Sequence, residues 1–357
     1  MTDAAIQSID VRPVVPPGLP PGGELDNGAK RWDGLKSRFH QSGEASLAGR
    51  YALVGVWLIV TAVYAVIEPS KILTSGTFQT IFGSQQPLVF LGMAAVITFS
   101  VGEFDLSISA VLGLSATIVP VLVVQHGWNP LAASVVAVAA GGLVGLVNGI
   151  IVVALGIDAI VTTLGMGTLL LGLTSGFSKS QAVTGLSDSF SSIANTTVVF
   201  GLPLAFFYGI VLALIIAYVM RFTSLGRHMV FVGANREVAR LAGVRVATIR
   251  MGSYVVSGLI CGLGGVLLVA SIGAFDSTTS PTYLLPALSA TFLGTAVIRP
   301  GRFNPIGTLI AIYFLVTGIV GLQLLGYTGW VSDVFYGAAL VIAVLASTIT
   351  RRRTLRA

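Results

Sequence analysis

Long apolar runs separated by short polar breaks recur from Tyr51 almost to the end of this 357-residue chain. A helix needs about 20 apolar residues to cross a hydrocarbon core of about 30 Å. The runs are continuously apolar, without the alternation that the strands of a membrane barrel require, so they predict helices. We predict ten spans, at 51–67, 79–99, 106–125, 131–155, 159–177, 198–220, 251–273, 284–298, 304–323 and 330–349.

Composition supports the same conclusion. Only 10% of the residues are charged, 54% are hydrophobic, and the mean hydropathy is +0.91. Soluble domains carry roughly 25% charged residues, so this chain lacks the charged surface that a soluble fold of its length needs. Cys261 is the single cysteine, which excludes a disulfide framework. The predicted fold class is all-α, a polytopic helical bundle in a membrane.

The basic residues predict the orientation of this bundle. With the N-terminus inside, the predicted cytoplasmic pieces hold 18 of the 20 Lys and Arg residues, and the external loops keep only Lys71 and Lys179. This asymmetry is a positive-inside pattern and requires an even number of crossings. It predicts a multi-pass protein of the cell (inner) membrane with both termini cytoplasmic. The basic residues form no stripe with stacking aromatics, so nucleic-acid binding is set aside.

The chain divides into three predicted regions. Residues 1–50 form a Pro/Gly-rich and basic cytoplasmic tail that we expect to be disordered. Residues 51–349 form the membrane domain, and residues 350–357 form a basic cytoplasmic C-terminus. Within the membrane domain, 143–165 is similar to 307–337, each a Gly-rich span, a glycine turn and another span. This similarity suggests an inverted repeat of five crossings.

The sequence lacks the residues that several classes of function require. The histidines His40, His126 and His228 show no metal-ligand spacing, and no glycine precedes a lysine as a phosphate-binding loop requires. We therefore expect no catalytic residues, no metal and no bound cofactor in this chain. The spans carry no mid-helix acid to bind a coupling ion, which disfavours an ion-coupled secondary carrier. No filter sequence or ring-forming charged segment indicates an ion channel.

The segment SVGEFDLSIS at 100–109 concentrates polar groups between two apolar runs. One interpretation is a broken helix whose backbone and side chains line a route for a solute. The other is a cytoplasmic turn in which Asp105 caps a helix beginning at Leu106. Both interpretations remain open at this level, and one does not exclude the other.

A second polar segment is the predicted cytoplasmic loop 221–250, with six arginines and one acid, Glu237. Within it, ANREVARLAG predicts a short helix with Asn235 as its N-cap and Gly243 as its C-terminal stop. The apolar positions Val238, Leu241 and Ala242 fall on one face. The helix is either an amphipathic element on the anionic lipid surface or a docking element for a cytoplasmic partner.

In their order along the chain, these motifs resemble the permease subunits of ribose-type ABC importers, a family that includes xylose, arabinose, galactose, allose and autoinducer-2 permeases. GEFDLSISAVLGLSA is similar to the family's glycine–acid–Leu–Ser motif, although the family usually has Gly and Ile at Glu103 and Phe104. GLVNGIIVVALGIDAIVTTLGMGTLLLGL (145–173) is similar to the next motif, although the family often has proline at Asp158 and Ala159. The similarity covers about 51–349.

The resemblance implies the partners and the site residues. It implies a separate ATPase that binds ATP and Mg, a substrate-binding protein and a second permease copy, all working at the lipid bilayer. It also implies that loop 221–250 holds the coupling helix that seats in the ATPase. The implied coupling residues are Gly233, Asn235, Glu237, Arg240, Leu241, Gly243 and Val244. We further expect five residues to face the translocation pathway: Glu103, Asp105, Ser107, Asn148 and Thr163.

The function that the resemblance implies is import of a monosaccharide or a related small polar solute, without enzymatic activity in this chain. An ABC permease for branched-chain amino acids or nucleosides shares the same plan and remains an alternative. An ion-coupled secondary carrier is a second alternative. The sequence does not indicate which sugar is carried, nor whether two copies of this chain pair with each other.

Overall fold

The computed structural model describes the backbone of residues 47–356 and the side chains of residues 50–345. This part of the chain is helical almost throughout, which confirms the predicted all-α membrane bundle. Up to residue 200 its α-helices are α1 (Leu47–Ile67), α2 (Pro69–Ile72), α3 (Ser75–Phe78), α4 (Gln86–Ser100), α5 (Ile108–Pro120), α6 (Pro130–Gly149), α7 (Ala159–Phe177) and α8 (Asp188–Asn195). Beyond residue 200 they are α9 (Leu204–Phe222), α10 (Ser224–Ala234), α11 (Arg236–Leu241), α12 (Val246–Ile272), α13 (Leu284–Gly294), α14 (Pro305–Leu324) and α15 (Trp330–Arg356).

Short segments of other structure extend or connect these helices. Two strands, β1 (Val183–Thr184) and β2 (Ala274–Phe275), pair antiparallel with Val183 opposite Phe275. A 3₁₀ helix precedes α13, and π-helical turns continue α3, α5 and α6. These segments are Ser277–Tyr283 for the 3₁₀ helix, and Gln79–Gly83, Val121–Gln125 and Ile150–Ala154 for the π turns.

Side-chain caps fix where three of the long helices begin. Asn129, Asp158 and Asn304 each accept a hydrogen bond from a backbone N–H two or three residues later, at 2.8, 2.9 and 2.6 Å. Pro130 and Pro305 follow two of these caps, at the helix position where a missing N–H is harmless. The starts of α6, α7 and α14 are therefore encoded locally.

Helix α12 is the central element of the bundle, since it packs against α4, α5 and α6. Its contact with α6 is a seam of glycines, with Gly141 and Gly145 on α6 and Gly258 and Gly262 on α12. A Cβ added at Gly145 would overlap the backbone carbonyl of Tyr254. Small residues of this kind let two membrane helices approach closely enough for van der Waals packing to hold them.

Each predicted span overlaps an observed helix, although the helix in span 198–220 begins only at Leu204. Eight helical stretches within the described residues are long and apolar enough to cross a membrane, and the predicted spans 284–298 and 330–349 are not among the eight. The predicted span 284–298 is α-helical only over the 11 residues of α13. The next backbone N–H groups, from Thr295 to Val297, bond three residues back as in a tighter turn, and Ile298 then has a positive φ of 60° that no α-helix accommodates. With the preceding 3₁₀ helix, the helical path from 277 to 294 is about 30 Å long.

The division into three regions stays a prediction. Residues 1–46, which hold nearly all of the predicted tail, lie outside the described residues. Leu47–Arg50, which the prediction gave to the tail, form the first turn of α1. At the other end, α15 continues through the predicted basic C-terminus to Arg356. The inverted repeat stays a prediction.

Candidate functional site

A non-helical break over residues 101–107 separates α4 from α5. Gly102 has a positive φ of 78°, and the next backbone N–H, from Glu103, bonds back to the carbonyl of Thr98 at 3.0 Å. The chain therefore turns sharply after α4. Both acids of the break point into the protein, with Glu103 1% and Asp105 2% exposed.

Two arginines and a tyrosine surround the buried carboxylate of Glu103. Arg236 donates to Oε1 at 2.8 Å, and Arg250 donates to the same oxygen. The hydroxyl of Tyr254 donates to Oε2 at 3.2 Å. Arg236 also donates to the backbone carbonyl of Gly102 at 2.8 Å. A buried carboxylate requires such partners, and here they connect the break to loop 221–250 and to α12.

The second acid, Asp105, organises a network of neutral polar groups. Its Oδ1 accepts the backbone N–H of Ser107 at 3.0 Å and the Ser107 hydroxyl at 2.6 Å. Its Oδ2 accepts the Ser257 hydroxyl at 3.3 Å. Asn148 in α6 donates its amide to the Ser107 hydroxyl at 2.9 Å. Asp105 fixes the turn before α5, but it does not cap this helix as the capping interpretation predicts, because the N-cap position is Ser107 and its side chain makes no capping hydrogen bond.

Thr163 of α7 closes the network from a third side. Its hydroxyl accepts the backbone N–H of Leu106 at 3.1 Å and donates to the carbonyl of Ala159 at 2.8 Å. Helix α5 then begins at Ile108, two residues later than the predicted start at Leu106. Helices α6, α7 and α12 therefore all contribute a polar side chain to this one break.

The structure thus brings together all five predicted pathway residues, and each of them is buried. Their contacts in this conformation are with other parts of the same chain, and their exposure to a solute route stays a prediction. Oδ1 of Asn148 has no hydrogen-bond partner among the described residues, so the network retains one buried acceptor. Such an acceptor is a place for a water molecule or a solute hydroxyl.

We expect Asp105→Asn to fold normally and Asp105→Leu to be less stable. Burial raises the pKa of Asp105, and the hydrogen bonds from Ser107 and Ser257 offset this in part. Because the folded-state pKa is raised, the wild-type stability falls as pH rises through it, and Asp105→Asn removes that dependence. Leucine leaves buried donors without an acceptor, which costs about 1–3 kcal/mol. Thermal unfolding in detergent over a pH series measures both effects. Identical pH profiles for wild type and Asp105→Asn would contradict the first, and equal unfolding midpoints for wild type and Asp105→Leu would contradict the second.

Sequence inspection missed the residues that hold the two acids. Arg236 and Arg250 contribute to the positive-inside pattern, but nothing in the sequence pairs them with Glu103. Tyr254 and Ser257 lie in a predicted apolar span, where no pattern distinguishes them. The signal that identifies three of them is helical spacing. Arg250, Tyr254 and Ser257 are four and three residues apart, on one face of α12, the face that the break packs against.

The predicted short helix of loop 221–250 is present as α11. Asn235 caps it by accepting the Val238 N–H at 3.1 Å, as predicted. At the other end Gly243 has a φ of 80°, its N–H bonds to Arg240, and the Val244 N–H bonds to the carbonyl of Ala239, both at 3.0 Å. This pair of bonds is a Schellman motif, so both ends of α11 are fixed by local hydrogen bonds.

One face of α11 is buried and the other is open. Ala239 is fully buried, whereas Leu241 is 83% exposed and Val238 48% exposed. Glu237 and Arg240 pair with each other at 3.0 Å on the exposed surface. The predicted apolar and polar contact residues of α11 are therefore available to a partner.

The other two predicted coupling residues lie elsewhere. Gly233, at the end of α10, lies against α4, and a Cβ there would overlap the carbonyl of Ser100. Val244 is half-buried and packs against the core. Both contact the membrane domain in this structure, and Leu241 is the apolar side chain that points away from it.

Comparison with known proteins identifies the family. Residues 78–344 match the family described as branched-chain amino acid transport system / permease component. The autoinducer 2 import system permease proteins LsrD of Yersinia pestis (strain Pestoides F) and of Yersinia pseudotuberculosis serotype O:3 (strain YPIII) are each 30% identical over 260 residues, covering 71% of this chain and 78% of theirs. No solved structure matches significantly. The chain therefore belongs to this permease family, as a multi-pass transport component of an ABC importer rather than an enzyme.

Proposed function

We propose that this chain conducts a neutral polar solute, a monosaccharide or a sugar-like molecule of the autoinducer-2 kind, through the inner membrane. A substrate-binding protein delivers the solute outside, and a separate ATPase, which binds ATP and Mg, docks on α11 at the cytoplasmic side. The observation that carries the proposal is the exposed apolar face of a short helix whose two ends are both capped. The resemblance adds a second permease copy, and the charge distribution favours cytoplasmic termini.

The contacts of α11 suggest how movement passes into the membrane domain. Arg236, the first residue of α11, binds Glu103 and the backbone of the break. Arg250, near the start of α12, binds the same carboxylate. A displacement of α11 by the ATPase therefore pulls on the break and on the central helix together. Energy passes along this route when the contacts of Glu103 differ between two states of the transporter.

The chemistry of an outer cavity favours a neutral solute. A cavity of about 440 Å³ lies at the end of the bundle that the charge distribution assigns to the outside. Amino acids carry two charged groups that need charged or strongly dipolar partners, whereas sugars need amides and hydroxyls. No charged residue of the described part of the chain lines this cavity. Its polar side chains are Gln79, Ser84, Gln86, Asn195, Thr197, Ser271 and Tyr283.

Substitution of Leu241 tests the docking surface. We expect Leu241→Asp to insert into the membrane normally, because this side chain is 83% exposed, but to lose co-purification with the ATPase subunit and solute uptake. Leu241→Met, which keeps an apolar side chain of similar volume, serves as the matched control and should retain both. Full ATPase recovery with Leu241→Asp would refute docking on α11.

The substrate class is tested by uptake in a deletion strain complemented with this chain. Radiolabelled ribose, and leucine as the alternative that the family description suggests, are the two probes. Restoration of ribose uptake, abolished by vanadate but not by a protonophore, is the expected result. Restoration of leucine uptake alone would replace the sugar with an amino acid, and loss on protonophore addition would indicate an ion-coupled carrier.

A further inference from the structure

We propose that a basic cavity between α9 and α14 binds the headgroup of an anionic phospholipid. The cavity has a volume of about 260 Å³ and lies where α9 ends and α14 begins. The charge distribution assigns this end of the bundle to the cytoplasmic leaflet, which carries anionic lipids. The proposal concerns lipid recognition and does not depend on which solute the permease carries.

Three arginines line this cavity: Arg221 at the end of α9, and Arg299 and Arg302 in the turn before α14. Among the described residues, no acidic side chain lines the cavity, and none of the three guanidinium groups makes an ion pair or donates a hydrogen bond. The guanidinium of Arg221 lies 5.3 Å from the centre of the Phe222 ring. Three positive side chains around one cavity, without a carboxylate, are the groups that bind the anionic oxygens of a phosphodiester.

The turn that carries two of these arginines is held in a defined conformation. The buried amide of Asn304 donates to the carbonyls of Gly294, Val297 and Arg302 at 3.1, 3.1 and 3.2 Å. Ile298 is left-handed, with a φ of 60°, which is uncommon for a β-branched residue. Such a backbone conformation persists only where the surrounding structure enforces it. Ile298 directly precedes Arg299, so the position of this arginine is fixed as well.

The remaining walls of the cavity suit acyl chains rather than a free anion. Leu214, Ala217 and Tyr218 on α9, with Ile306 on α14, continue from the arginines along the two helices. Leu214 is 55% and Tyr218 62% exposed on this surface. A phosphate group at the arginines would therefore lead into a lipid-facing apolar surface. This combination of charge and apolar wall selects a phospholipid over inorganic phosphate.

The double variant Arg299→Gln/Arg302→Gln tests this site. Its charge-matched control is Arg227→Gln/Arg245→Gln, two exposed arginines of loop 221–250 that do not line the cavity. The full chain is purified in a neutral detergent, and its thermal stability is titrated with phosphatidylglycerol, phosphatidylcholine or inorganic phosphate. We expect phosphatidylglycerol alone to stabilise the wild type and the control. The apparent affinity of the cavity variant should fall about thirtyfold, from about 1 kcal/mol for each arginine.

Each other outcome contradicts the proposal in a distinct way. Equal stabilisation by phosphatidylcholine means that no anionic headgroup is recognised. Equal stabilisation by inorganic phosphate means that an ion is bound without its lipid. Equal losses in the two double variants mean that general surface charge attracts the lipid. If the cavity variant does not purify, native mass spectrometry of the wild type in mixed lipids decides, since preferential retention of phosphatidylglycerol is then required.

Discussion

Glu103→Leu is expected to destabilise the folded chain by about 3–5 kcal/mol and to abolish solute uptake. The substitution leaves Arg250, whose side chain is only 16% exposed, without a counter-ion. It also releases Arg236, and with it the connection between α11 and the break. A shift in the thermal unfolding midpoint of the detergent-purified chain measures the first effect, and uptake of labelled ribose in complemented cells measures the second.

The control for this prediction is Glu237→Leu, which removes the other glutamate of an arginine pair. Both side chains of that pair, Glu237 and Arg240, are more than two-thirds exposed, and exposed pairs contribute about 0–1 kcal/mol. Glu103→Gln keeps an acceptor oxygen in place and should lie between wild type and Glu103→Leu in stability. Equal unfolding midpoints for Glu103→Leu and Glu237→Leu would show that the buried ion cluster does not hold the break.

Gly145→Leu should prevent recovery of folded protein. Position 145 lies in the glycine seam between α6 and α12, where even a Cβ atom overlaps the carbonyl of Tyr254. The larger side chain must push the two helices apart. Such a movement also separates Asn148 from the network that Ser257 joins from the opposite helix. The expected readout is the loss of the monodisperse peak in size-exclusion chromatography with fluorescence detection.

Gly172→Leu is the matched control for the seam. Gly172 lies in α7, and a Cβ there meets no atom within 4 Å. A leucine at this exposed position displaces no packed atom of the chain, so we expect it to be tolerated. Normal recovery of Gly145→Leu, or the same loss with Gly172→Leu, would mean that close packing of α6 on α12 does not determine folding.

The elements that are encoded locally were predictable from the sequence. The spans follow from the length of each apolar run, and the ends of α11 follow from Asn235 and Gly243, whose side-chain chemistry and backbone freedom act within a few residues. The span 284–298 was predicted too long because apolar composition does not report that the α-helix ends at Gly294. Hydropathy measures suitability for lipid, whereas the end of a helix depends on backbone geometry.

The site was predictable from the sequence only in part. Glu103 and Asp105 stand out as polar groups between apolar spans, and both are buried. The arginines that hold Glu103 are less buried, with the Arg236 side chain 43% exposed. Arg236 and Arg250 are 133 and 147 residues away from Glu103 along the chain, and no local pattern joins positions so distant.

Helix α12 is a single rod of 27 residues, about 40 Å long, whose two ends serve different chemistry. At its inner end Arg250 and Tyr254 grip the carboxylate of Glu103. At its outer end Ser271 is hydrogen-bonded at 2.8 Å to Gln86, beside the polar cavity. Under the proposed function, this rod links two binding events: if nucleotide binding to the ATPase tilts α12 and changes the affinity for solute, solute binding must change the affinity for nucleotide by the same factor.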